Sequence, residues 1–178
     1  MDIDYSVKTT KGDYTLVRTE FSDIEFSICL PEILSDLSEE DLNNNFPKSH
    51  IPMAFKSNPE YKMTFTLAAA PHETNNGEIT DEELKDYLLI QRYTISRLVP
   101  GYDEFGVRSK VVNDHTVMCI EYKSNSLEND LYNVFFLCLH NGNMIHGAFS
   151  CHIEDQAECG AVFLMCLSTI KFAAKMAD

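Results

Sequence analysis

From Leu131 to Ile153 apolar and polar positions alternate so regularly that two strands can be paired from the sequence alone. Leu131–His140 and Asn143–Ile153 flank Asn141-Gly142, a two-residue turn signal in which both positions take positive φ. Pairing outward from that turn sets Cys138 opposite Ile145, Phe136 opposite Gly147, Val134 opposite Phe149 and Tyr132 opposite Cys151 on one face. The other face opposes Leu139 to Met144, Leu137 to His146, Phe135 to Ala148 and Asn133 to Ser150. The first face is wholly apolar, whereas the second sets polar groups among large hydrophobes. A sheet with apolar residues on both sides needs cover on both, or a partner on one of them.

Elsewhere the pattern predicts strands and helices in alternating groups. Asp13–Thr19 alternates weakly, as an edge strand does. Ile24–Leu30 alternates cleanly, with Ile24, Phe26, Ile28 and Leu30 inward, and Pro31 ends it. A short helix capped by Ser38 with Asp41, anchored by Leu42 and Phe46, stops at Pro47. Ile51–Lys56 and Tyr61–Ala69 form a second predicted hairpin, with Tyr61, Met63, Phe65, Leu67 and Ala69 on one face, and Pro71–Glu78 reads as a loop. The central helix opens on a capping box, Thr80 with Glu83, and its stripe is Leu84, Tyr87, Leu88, Gln91, Ile95 and Leu98. Phe105–Val112 then turns at Asn113-Asp114 into His115–Tyr122, and a polar loop leads to the Asn-Gly hairpin. A last helix opens at Asp155 with Glu158 in the capping position. Cys159, Val162, Phe163, Cys166, Ile170 and Ala173 form its stripe, and Lys171 and Lys175 suit its negative end. The expected architecture is one α+β domain over residues 1–178, its first dozen residues flexible, with helices packed on a twisted antiparallel sheet of about six to eight strands.

Charge narrows the choice of partners. Fourteen basic residues against 28 acidic ones give a formal net charge of −14, which argues against nucleic acid and against an anionic membrane surface. A basic protein surface is the partner such a field would steer in. The acidic start of the chain has no signal-peptide pattern, and the longest apolar run, Ala161–Leu167, is far shorter than the ~20 residues of a membrane span. The expected location is cytoplasmic, and the six cysteines, none in a C-x-x-C pair, are expected to be free.

No catalytic motif stands out. His146 and His152 share a strand face but lie ~20 Å apart, and no histidine or cysteine pair has ligand spacing, so neither a metal nor another cofactor is expected. Ser150 lies in a strand without a nucleophile elbow, and a hydrogen bond to Asn133 accounts for it better than activation by His152 does. None of the seven glycines builds a phosphate loop, and the acidic clusters at 39–41 and 81–83 lie at helix starts, where the dipole explains them. What remains is the mixed hairpin face: Asn133, Phe135, Leu137 and Leu139 facing Met144, His146 and Ser150. It is either core beneath a helix or a surface for an apolar partner segment.

Several packing and turn signals together resemble the PsbP-like α/β superfamily. They are the strand ending in Leu30-Pro31, Phe46-Pro47, Pro52 leading through Phe55 into Tyr61–Leu67, and Gly147-Ala148-Phe149 followed by a terminal helix. That superfamily includes the Ran-binding Mog-type nuclear factor, the photosystem protein PsbP and bacterial Eag-type effector chaperones. The resemblance implies an α/β/α sandwich and a non-catalytic, protein-binding role, as an adaptor or secretion-chaperone-like module. An apolar or helical segment of the partner, such as a secreted effector, would lie on the sheet face, and a homodimer is compatible with it. The alternative expectation is a small-molecule binder or hydrolase-like enzyme with a pocket around His146, Ser150 and His152.

Overall fold

A computed structural model describes residues 5–38, 40–42, 52–58, 63–72 and 80–173. The strands β1 (Tyr5–Lys8), β2 (Asp13–Phe21), β3 (Phe26–Pro31) and β11 (Lys171–Phe172) form an antiparallel sheet in the order β1-β2-β3-β11. A larger antiparallel sheet contains β4 (Ser35–Asp36), β5 (Ala54–Asn58), β6 (Met63–Pro71), β7 (Asp103–Val112), β8 (His115–Asn125), β9 (Asp130–His140) and β10 (Asn143–His152). Its order is β4-β5-β6-β10-β9-β8-β7. Two long helices, α1 (Asp81–Leu98) and α2 (Gln156–Ser168), complete the α+β fold.

The β9–β10 pairing is the one the alternation dictates. Cys138 faces Ile145, Phe136 faces Gly147, Val134 faces Phe149 and Tyr132 faces Cys151. Asn141 and Gly142 take φ of 47° and 72°, as a two-residue turn with both centres left-handed requires. The β5–β6 hairpin also forms, although its turn at Pro59 and Glu60 lies outside the described residues.

The apolar face of this sheet is the core. Met63, Phe65, Leu67, Val134, Phe136, Ile145 and Phe149 are fully buried in one cluster with Phe26, Ile28 and Leu30 of β3 and Val162, Phe163 and Cys166 of α2. The Phe149 ring sits 4.9 Å from Phe65 and 4.7 Å from Phe163, centroid to centroid, within the range in which aromatic pairs add to simple burial. Gly147 makes this stacking possible. A Cβ there would stand 2.5 Å from the Thr66 carbonyl oxygen and 2.7 Å from Phe136 Cε1, so no side chain fits without backbone movement.

Several expectations are corrected. The segment Asp13–Thr19 is not an edge strand: β2 lies between β1 and β3, with Leu16 fully buried. The predicted helix around Ser38 begins as expected, with the Ser38 hydroxyl accepting the Asp41 N–H at 3.1 Å, and its continuation through Phe46 lies outside the described residues. The polar loop before the Asn-Gly hairpin is short, because β8 and β9 run on to Asn125 and from Asp130. In α1 the capping box is present as expected, but Leu98 is 75% exposed and Val99 packs inward in its place.

The last helix stops at Ser168, so Lys171 and Ala173 are not helical. Thr169 is the reason. Its hydroxyl donates to the Cys166 carbonyl at 2.7 Å and accepts the Cys29 N–H at 2.8 Å, while Arg18 Nη1 donates to its carbonyl at 2.6 Å. The chain then pairs Lys171 with Ser27 and Phe172 with Phe26 as β11. Nor does Asp155 cap the helix with its side chain. It pairs with Lys11, and Glu158 accepts hydrogen bonds from Thr9 and Thr10, so the acidic start of α2 is tied to the β1–β2 turn.

Candidate functional site

The second face of the large sheet is divided by α1. Leu84 and Leu88 of the helix bury Met118, Ile120, Tyr122 and Leu137, with Ile95, Val99, Phe135 and Leu139 packed around them. The helix therefore rests on β8 and β9. Leu137, expected on the mixed face as a partner contact, is fully buried and no partner reaches it unless the helix moves.

Asn133 is also withdrawn from the surface, at 8% exposure. Its Nδ2 donates to Ser124 Oγ at 2.8 Å, and Ser150 Oγ donates to its Oδ1 at 2.9 Å. A buried amide whose oxygen and nitrogen are both satisfied is a structural element of the sheet, because leaving either group unpaired is expensive.

The rest of the expected site lies beyond the helix. Phe135 and Leu139 are half-buried at its margin, and Met144, His146 and Ser150 are half-buried on β10. Across β6 the same face continues, because Met144 pairs with Ala70, His146 with Ala68, Ala148 with Thr66 and Ser150 with Thr64. Phe55 and Ser57 of β5 extend it opposite Thr66 and Thr64. The result is a floor of small side chains flanked by Phe55, Met144, His146 and Phe135. Helix α1 reaches its near end, where the Tyr87 ring packs edge-on against His72, just past β6, with centroids 4.9 Å apart. The His146 ring lies 6.2 Å from Phe135, and burial lowers its pKa, so the imidazole is neutral at pH 7.

The Ser150 hydroxyl is engaged with Asn133, and three cavities of about 440, 390 and 200 Å³ are lined by other residues. Among the described residues no group of three or more histidines, cysteines or acids has metal-binding geometry, and all six cysteines are buried and free.

One histidine pair went unseen in the sequence. Met118 pairs with Leu137, so three positions further along each strand His115 faces His140. His115 Nε2 lies 3.2 Å from His140 Nδ1, and both rings rest on Phe172, with centroids 3.9 and 4.8 Å away. His115 Nδ1 sits 2.8 Å from the Asn113 carbonyl, to which it donates. His140 Nε2 is buried 3.6 Å from Glu25 Oε2 and makes no hydrogen bond among the described residues. Burial, reinforced by the neighbouring His115, lowers the pKa of His140. The pair becomes legible once the β8–β9 strands are extended to their true length.

Comparison with known proteins places this architecture in one class, the PsbP-like α+β fold. The solution structure of the cyanobacterial PsbP, CyanoP, from Synechocystis superposes with a TM-score of 0.63, covering 94% of this chain and 98% of that one at 9% identity. A Pseudomonas aeruginosa protein of unknown function, described as a putative regulator, superposes with a TM-score of 0.52 over 97% of this chain and 99% of its own, at 11% identity. A Bacteroides thetaiotaomicron protein does so with a TM-score of 0.53, over 86% of this chain and 47% of its own, at 8% identity. No family model and no curated protein matches the sequence. At these identities the likeness is one of fold. Among the described residues no helix is long and apolar enough to cross a membrane.

Proposed function

We propose that this chain is a non-catalytic binding protein that takes an apolar, helical segment of a partner protein on the open half of the outer sheet face. The observation that supports it most is the uneven cover of that face. Helix α1 buries β8 and β9, while Phe55, Ala68, Met144, His146 and Ala148 stay half-exposed beside it. Small residues along the floor and larger ones at its margins match a helix lying in a trough, the mode in which apolar anchors at helical spacing carry affinity. The net charge of −14 favours a segment flanked by basic residues. The fold class is compatible with an adaptor or an effector chaperone of the Eag type, working in the cytoplasm.

The test uses a fluorescent 20-residue apolar helical peptide with lysine-rich ends, titrated against wild type, His146→Ser and Met144→Ser. Each substitution is expected to weaken binding by about 1–2 kcal/mol, as truncation of an interface anchor does, while lowering folding stability by less than about 1 kcal/mol. Tight binding that ignores both substitutions, or no saturable binding by wild type, would refute the proposal.

A further inference from the structure

On the other face of the large sheet, at the β7 edge, a cavity of about 200 Å³ opens between β7, β8 and α2. Val112, Val117, Cys119 and Leu167, all buried, form its floor, and Leu164 forms its helical wall. The Cys119 thiol adds no charge there, because burial raises its pKa to about 11. The charged side chains lining the cavity are Arg108 and Lys110, which is notable in a protein of net charge −14. Arg108 is paired through Nε with Glu121, whereas Lys110 has no ion-pair partner among the described residues.

Inward-pointing charges on an edge strand discourage edge-to-edge pairing, and that role would need only the charges. An apolar floor directly beneath them is a separate feature, and the two together have the polarity of an amphiphile. We propose that this cavity binds a small anionic amphiphile, its carboxylate at Lys110 and the free guanidinium N–H groups of Arg108, its hydrocarbon body against Val112, Val117 and Leu167. The volume lies below the ~300–1,000 Å³ of sites for drug-sized ligands, which selects a short-chain or single-ring monocarboxylic acid and excludes a long-chain lipid. The site is on the opposite face from the trough and independent of it.

Octanoate is the probe, with octanol as its uncharged counterpart, followed by amide and methyl chemical shifts of the intact protein. Octanoate is expected to saturate with a Kd below about 1 mM, with the largest shifts at Val112, Val117, Leu164 and Leu167. Octanol, and octanoate on Lys110→Gln, should each bind roughly three- to fivefold more weakly, the scale of one solvent-accessible charge pair. Val117→Phe fills the floor and should abolish the shifts. Should that variant unfold, Leu164→Phe, on the half-exposed wall, makes the same test. Absence of saturation, equal affinity for octanol, equal affinity of Lys110→Gln, or shifts mapping to another face would each overturn the proposal.

Discussion

The two faces of the seven-stranded sheet were built to different standards from the same strands. The inner face is closed by aromatic packing: Phe65 and Phe136 lie against Phe149, which stacks on Phe163, with Gly147 giving the rings room. The outer face is closed only over β8 and β9, by Leu84 and Leu88 of α1. Alternation along one strand therefore serves two purposes, since odd and even residues of β10 face different solvents. Burial on the inner face defines the fold. Partial burial on the outer face leaves apolar area whose use the fold does not dictate.

Substitutions that strike one face at a time sharpen this contrast. The largest effect is expected from Gly147→Val on the inner face. Its Cβ would meet a backbone carbonyl at 2.5 Å as well as the Phe136 ring, and the carbonyl cannot rotate away as a side chain can. Urea unfolding should show a loss of roughly 3 kcal/mol, at the upper end of overpacking effects. Wild-type stability in this variant would mean that the β6–β10 contact is wrong.

Leu137→Ser probes the covered part of the outer face. With Leu137 fully buried under α1, truncation should cost about 2–4 kcal/mol, several times the effect expected at Met144, seven residues away along the hairpin. Equal, small losses at both positions would show that α1 does not seal β9.

The smallest effect is a pH response. His140 and His146 both have pKa values lowered chiefly by burial, so just below pH 6.5 the unfolded chain binds more protons than the folded one. Stability should therefore fall as pH drops through that window and level off once both folded imidazoles are protonated. His146→Gln and His140→Gln should each flatten the wild-type slope between pH 7 and 5, read from urea midpoints. If neither variant changes the slope, the burial of these two rings is not coupled to folding.

How much of this was legible depended on how local the cause was. The β9–β10 register followed from a turn whose two residues allow one geometry, and the capping box of α1 followed from two side chains three positions apart. The end of α2 did not, because Ile170 and Ala173 continue the helical spacing and the competing hydrogen bonds come from Arg18 and Cys29, far away in sequence. The candidate site shows the same division. The mixed face was readable, and Ser150 does bond to Asn133, but which half α1 covers is set by tertiary packing and put Leu137 out of reach. Arg108 and Lys110 gave no signal of a cavity, since charges on an exposed strand look alike whether or not a hole lies below them.

The small sheet has a consequence in time. β11 joins a sheet whose other three strands are the first to be made, and β10 pairs with β6 across the whole stretch from Pro71 to Asn143. While the chain is being synthesised, β3 and β6 must therefore emerge with the N–H and C=O groups of one edge unpaired, and they stay so until their late partners leave the ribosome. Contacts this distant in sequence slow the search for the native state, because loop closure comes before any pairing that rewards it. The interval before β10 appears is when the nascent chain is most exposed to aggregation, and when a passing chaperone would find most to hold.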